Sequence, residues 1–234
     1  MRNFLIAFFL IISALPVFGQ SLHAKLAFEE ATIAANAGEF EKALKGYRSA
    51  LILDEEGSED FTEKIRYNLG VCLNRTGQLK VAVIEFNKAI RYSGRNLERS
   101  FYALGMAESA LENWPAAREA FLRALAIRPD NGETWFDLAF VYLALRDHAS
   151  AAAAFRKSID HRSVDAALGL NNLGVIMAMN FEFDKAEIEF HNALRLSNGK
   201  LAAARRNIEF CRSISNGKLI AATEWSFERR GRAI

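Results

Sequence analysis

The chain has 234 residues, 51% of them hydrophobic and 25% charged, with 30 lysines and arginines against 28 aspartates and glutamates for a formal net charge of +2. That apolar content excludes a disordered tail, and only two cysteines exclude a disulfide scaffold. The near-neutral balance argues against a binder that works by neutralising phosphates, so no nucleic-acid partner is expected.

At the amino terminus Arg2 precedes an almost uninterrupted apolar stretch from Phe4 to Phe18 that contains Pro16 and is followed by Gly19 and Gln20. At about 1.5 Å per residue it spans roughly 22 Å, short of the roughly 30 Å hydrocarbon core of a bilayer. The pattern describes a secretory signal peptide over 1–19, cut after Gly19 or, as a second choice, after Ala24. The mature protein is therefore expected to be exported, periplasmic or secreted. No later segment reaches the roughly 18 consecutive apolar residues of a membrane span, so none is expected after cleavage.

From residue 24 onward the sequence repeats itself. A Leu-Gly or similar pair is followed by an alanine, an aromatic residue and a further small residue at fixed offsets. The opening copy has Glu30-Ala31 with Ala43, Tyr47 and Ala50, and the second has Leu69-Gly70 with Ala82, Phe86 and Ala89. Leu104-Gly105 leads to Ala117, Phe121, Ala124 and Pro129, and Leu138-Ala139 leads to Ala151, Phe155 and Ser158. Leu173-Gly174 with Ala186, Phe190 and Ala193 closes the series. The five copies are placed at about 24–62, 63–97, 98–131, 132–166 and 167–200. Each reads as two helices, with turns signalled by Gly38, Gly77, Asn113, Asp147 and Asn180, and with Pro115 suited to a first helical turn.

The physical basis of the marks is close packing. Gly70, Gly105 and Gly174 lack a β-carbon, and with Ala82, Ala117 and Ala186 they let two helices approach, while Phe86, Phe121, Phe155 and Phe190 fill the space between pairs. One such pair cannot bury its apolar face alone, so stability comes from stacking. Leu201, Ala204, Ile208 and Cys211 then recur at helical spacing, with Arg205, Arg206, Glu209 and Arg212 off that stripe, which reads as a capping helix over 201–215. Residues 216–234 form a basic tail in which Lys218, Arg229, Arg230 and Arg232 face Glu224 and Glu228, together with Trp225 and Phe227.

These residues resemble the tetratricopeptide repeat (TPR) family. The likeness is strongest at Tyr67-Asn68-Leu69-Gly70, at Trp135, Leu138, Tyr142, Ala151 and Phe155, and along the run from Ala124 to Asn131. The resemblance implies an all-α, right-handed α-solenoid of stacked helix-turn-helix repeats that serves as a scaffold for protein–protein interaction. It also implies a concave groove, lined by the first helix of each repeat, that holds an extended peptide. Repeat phase places Phe28, Tyr67, Tyr102 and Phe136 in one row along that groove. Lys25, Lys64 and Arg99 form a basic row beside them, and Val71, Met106, Phe140 and Val175 an apolar one. Asn68 and Arg99 match two positions of the carboxylate clamp of chaperone-binding relatives, but Phe28, Thr32 and Ala103 occupy the other three, so that clamp is not expected. The expected ligand is a protein partner offering an acidic or carboxy-terminal peptide over repeats 1 to 3, since Glu133 and Asp137 reverse the sign in repeat 4. An aromatic residue at the Tyr67 place also belongs to the ordinary repeat wording, so the row serves either the ligand or the repeat.

Chemistry is not expected. His23, His148, His161 and His191 fall in different repeats without metal-ligand spacing, and no phosphate-binding loop, nucleophile elbow or catalytic triad order appears. The expectation is a protein that is not an enzyme and carries neither cofactor nor metal. Cys72 and Cys211 are separated by several repeats and are expected to remain thiols. Two functions are compatible with these features. The first is an exported scaffold holding a partner peptide in its groove. The alternative is a structural subunit of a cell-envelope or secretion/aerotolerance-type assembly, packing through its convex face and its carboxy-terminal tail.

Overall fold

The computed structural model describes residues 22–54, 57–92, 97–163, 165–215 and 225–229. The expected signal peptide and most of the tail 216–234 lie outside them. The described residues form helices and connecting turns with no strand. Helix α1 covers 22–36, followed by α2 (Phe40–Leu53), α3 (Glu59–Arg75), α4 (Leu79–Tyr92) and α5 (Leu97–Ala110). Then come α6 (Trp114–Ile127), α7 (Gly132–Ala144), α8 (His148–Asp160), α9 (Ala166–Met179), α10 (Phe183–Leu196) and α11 (Ala202–Ser215). The chain divides into two compact units, Met1–Asn113 and Trp114–Ile234.

Local chemistry sets the helix ends. The Ser58 hydroxyl accepts from the Phe61 amide at 3.3 Å, and the Asn131 carboxamide oxygen accepts from the amides of Glu133 and Thr134, both at 3.1 Å. At α8 the Asp147 carboxylate accepts from the Ser150 amide at 3.0 Å, which holds its carboxyl below the usual carboxylate range. Between the helices of each pair one residue takes the left-handed conformation. Glycine fills that place at Gly38 and Gly77, with φ of 79° and 77°, but Glu112, Arg146 and Phe181 fill it later with φ of 60°, 60° and 63°. Those three carry a strain that glycine avoids. The polar residues read as turn signals are their neighbours: Asp147 caps the start of α8, and Asn180 closes α9.

In the first unit α2 packs on α3, α3 on α4 and α4 on α5, while α3 also reaches α5. Gly46 of α2 lies so close to Ala31 of α1 that an added β-carbon would sit 2.7 Å from the alanine methyl. Tyr47, Ile65 and Phe86 form the centre of this core. In the second unit α6 to α11 pack in succession, and α9 also touches α11. The last helix therefore stands beside α9 as the first helix of a further repeat would. Phe136, Phe155 and Phe190 are buried here, and Phe155 meets Phe136 and Phe140 edge to face at 5.7 and 5.5 Å. Removing each such ring from water stabilises the fold by roughly 1.5–3 kcal/mol.

The two thiols are free and buried, one in each unit. Burial pushes both up, from 9.0 to about 11. At pH 8 Ellman's reagent is therefore expected to label neither in the native chain and both after denaturation. Labelling of the native chain at the rate of a free thiol would contradict this burial. A folded-state value above the unfolded one means that the native state holds the proton longer. The stability this contributes is complete below pH 9 and is lost as pH rises through about 11, at about 1.4 kcal/mol per pH unit for each thiol.

Candidate peptide-binding faces

In the first unit α1, α3 and α5 are the first helices of their pairs. Between them lies a cavity of about 300 Å³ lined by Phe28, Glu63, Lys64, Tyr67, Asn68 and Arg99. The Arg99 guanidinium lies 4.9 Å from the centre of the Tyr67 ring, which holds a cation at the cavity wall. Phe28 is fixed from beneath by Tyr47 at 5.6 Å and by Phe61 at 5.5 Å, and Tyr47 shares a hydrogen bond with Thr32 at 3.1 Å. Glu63 is buried and accepts from the Ser100 hydroxyl at 3.4 Å.

Five of the sequence-derived groove residues, Phe28, Lys64, Tyr67, Asn68 and Arg99, thus line one cavity. The others lie elsewhere. Lys25 is exposed and near Asp54, whose carboxyl is pushed up by burial against the opposing pull of the Thr62 hydroxyl and of Lys25. Val71 packs on the core, Met106 is buried, and Tyr102 is half-buried. Phe136 is 1% exposed and offers a ligand no surface, because its ring is enclosed by Phe140 and Phe155. Phe140, its neighbour in the apolar row, remains partly open.

The second unit has a different feature on its first-helix face. Residues 225–229, in no regular structure, lie across α7, α9 and α11 and are held by three buried asparagines. Asn207 of α11 accepts from the Ser226 amide through its Oδ1 at 3.1 Å and donates from its Nδ2 to the Ser226 carbonyl at 3.1 Å. Asn172 of α9 treats Glu228 identically, accepting from its amide at 2.8 Å and donating to its carbonyl at 2.7 Å. Asn171 donates to the Ser226 carbonyl at 3.0 Å and to the Asn172 oxygen at 3.2 Å, and its own oxygen accepts from Asn207 at 3.0 Å. A carboxamide carries one donor group and one acceptor, which matches the N–H and C=O of an extended residue. Alternate residues are gripped by their backbone, leaving the side chains to be read separately.

The side chains are read by aromatic contacts. Trp225 stacks on Phe190 at 6.3 Å and meets Phe210 edge to face at 4.5 Å. Phe227 packs against the cores around both Phe155 and Phe190. The Arg229 guanidinium lies 4.9 Å from the centre of the Phe140 ring, and Glu228 faces Arg206 at 3.9 Å. The segment thus runs from α10 and α11 back toward α7.

The three asparagines did not enter the sequence-derived site. A signal was present, since Asn172 follows Asn68 by three repeat periods of about 34 to 35 residues and Asn207 follows Asn172 by one more. Asn68 therefore stands on the cavity of the first unit at the repeat position that Asn172 uses on the second.

Stacked pairs of short antiparallel helices, in which Gly70 and Gly174 of a first helix lie against Phe86 and Phe190 of the second, define a helical repeat protein built for interaction with other proteins. The tetratricopeptide repeat model matches residues 28–96 and 102–167, more than half of the chain, and the chain belongs to that family. A general transcriptional corepressor, trfA of Dictyostelium discoideum, is 24% identical over 140 residues, 59% of this chain and 10% of its own length. The chain thus spans about a tenth of that relative. Among solved structures, MamA from Desulfovibrio magneticus RS-1 superposes with a TM-score of 0.68 at 17% identity, covering 77% of this chain and 98% of that one. YrrB, a TPR protein with an unusual peptide-binding site, superposes with a TM-score of 0.63 at 21% identity, covering 80% and 90%. Similarity at that level shows the fold.

Proposed function

We propose that the protein is an exported scaffold that holds a partner protein by an extended acidic segment laid across α1, α3 and α5. The observation that carries this reading is the cavity whose walls bring Phe28, Tyr67, Asn68, Lys64 and Arg99 together. Lys64 and Arg99 offer cations to a ligand carboxylate, and the two aromatic residues offer contact area at low entropy cost. Asn68, at the repeat position of Asn172, can grip a backbone amide and carbonyl. YrrB, a TPR protein of similar fold, has a peptide-binding site, which supports a peptide as the class of ligand. Export rests on the apolar stretch within 1–19, and a mature amino terminus at Gln20 in an envelope or secreted fraction is its expected sign.

The test uses the full mature chain and fluorescent peptides that carry an aromatic residue beside either acidic or neutral residues. The acidic peptides are expected to bind more tightly, and less so at high salt. Arg99→Ala or Lys64→Ala should weaken them about tenfold, and Tyr67→Ala should weaken both peptide sets. Equal capture of acidic peptides by the parent and the Arg99→Ala chain would refute this reading.

A further inference from the structure

We propose that the first-helix face of the second unit is a separate peptide-binding site, occupied in cis by the chain's own Trp225–Arg229, and that this resident is displaced by an extended protein segment with aromatic residues at its first and third positions and a basic residue at its fifth. Three observations carry the proposal. Five hydrogen bonds from asparagine side chains hold the backbone of Ser226 and Glu228, and that grip does not depend on what those residues are. Selectivity is left to the contacts beneath Trp225, Phe227 and Arg229, which any chain with the same alternation can satisfy. The third observation comes from the first unit, where the equivalent Asn68 lines an open cavity. Among the described residues, the first-helix face of the first unit thus forms without the segment 225–229 across it.

The resident thus acts as a pseudo-ligand that raises the threshold for partners, because an incoming segment must compete with one tethered to the same molecule. The proposal concerns a different face from the acidic-peptide site on the first unit and stands or falls without it.

The experiment measures binding of a fluorescent peptide of sequence Glu-Trp-Ser-Phe-Glu-Arg-Arg to four full-length chains by anisotropy. The chain carrying Trp225→Ala and Phe227→Ala, whose own segment is loosened, is expected to bind at least about tenfold more tightly than the parent. Adding Asn172→Ala and Asn207→Ala should abolish that gain. A peptide N-methylated at the amides that correspond to Ser226 and Glu228 should bind at least about tenfold more weakly than the unmodified one. Ser226→Pro, which removes one gripped amide and leaves both aromatic residues in place, should open the site in the same way. The proposal is overturned if the loosened chains bind no better than the parent, or if N-methylation changes nothing. Loss of helicity in both loosened chains also overturns it, since the segment is then a structural strap. A parent dimer that dissociates on Trp225→Ala and Phe227→Ala would place the segment on a second copy and equally refute occupation in cis.

Discussion

Replacing Phe155 with alanine is expected to lower the free energy of unfolding by about 3–5 kcal/mol. The ring is fully buried, with Phe136 and Phe140 against its faces and edges and Ala139, Ala151 and Ala154 around it. The neighbours are on helices whose crossing is set by small residues, so they cannot collapse into the space that an alanine leaves. In a stack of repeats that stability is shared mainly with adjacent pairs, and a loss of this size is a large part of the roughly 5–15 kcal/mol of a typical domain. Urea denaturation followed by circular dichroism reads the effect. Phe155→Leu should recover most of it, and a loss below about 1 kcal/mol for the alanine variant would contradict the packing. Phe140 also lies beneath Arg229, so the alanine variant is expected to loosen the docked segment.

Gly174→Ala is expected to destabilise as well, by a different route. A β-carbon there would lie 2.7 and 2.9 Å from two ring atoms of Phe190 and 3.1 Å from the Ala186 carbonyl oxygen. Alanine gains about 1 kcal/mol over glycine in a helix interior, whereas overpacking costs about 1–3 kcal/mol, occasionally more. The backbone contact decides the sign, because a carbonyl of α10 moves only if the helix moves. At Gly70 the three nearest atoms all belong to the Phe86 side chain, so Gly70→Ala should cost less than Gly174→Ala. Combining Gly174→Ala with Phe190→Leu should cost less than the sum of the two single changes, since the smaller side chain vacates the contested space. Strict additivity, measured by the same denaturation, would contradict the close approach.

Much of this architecture is legible from residue spacing. Leu69-Gly70 with Phe86 and Leu173-Gly174 with Phe190 mark the helix crossings, and they do so because a period of about 34 residues brings the same contacts back in each pair. Spacing conveys phase but not depth. Phe136 and Met106 fall on the expected rows, yet they are buried, Phe136 beneath the rings of Phe140 and Phe155. The grip on residues 226 and 228 was hidden for another reason. Asn171 and Asn172 appear as two polar residues in an apolar helix, and their partners lie more than fifty positions further along the chain. Asn207 sits in a helix that lacks the Leu-Gly mark and therefore reads as a cap, although α11 stands beside α9 as a first helix would. The tail was legible only as charge and two aromatic residues, since nothing local says which surface an extended segment will meet.

The first-helix face of the second unit holds an extended chain by its backbone through asparagine side chains. Amide hydrogen exchange on the full chain at Ser226 and Glu228 tests it most directly. Both amides should exchange at least about tenfold more slowly than in the chain carrying Asn172→Ala and Asn207→Ala. Exchange of both at the rate of an unstructured peptide, unchanged by removing the two asparagines, would contradict it.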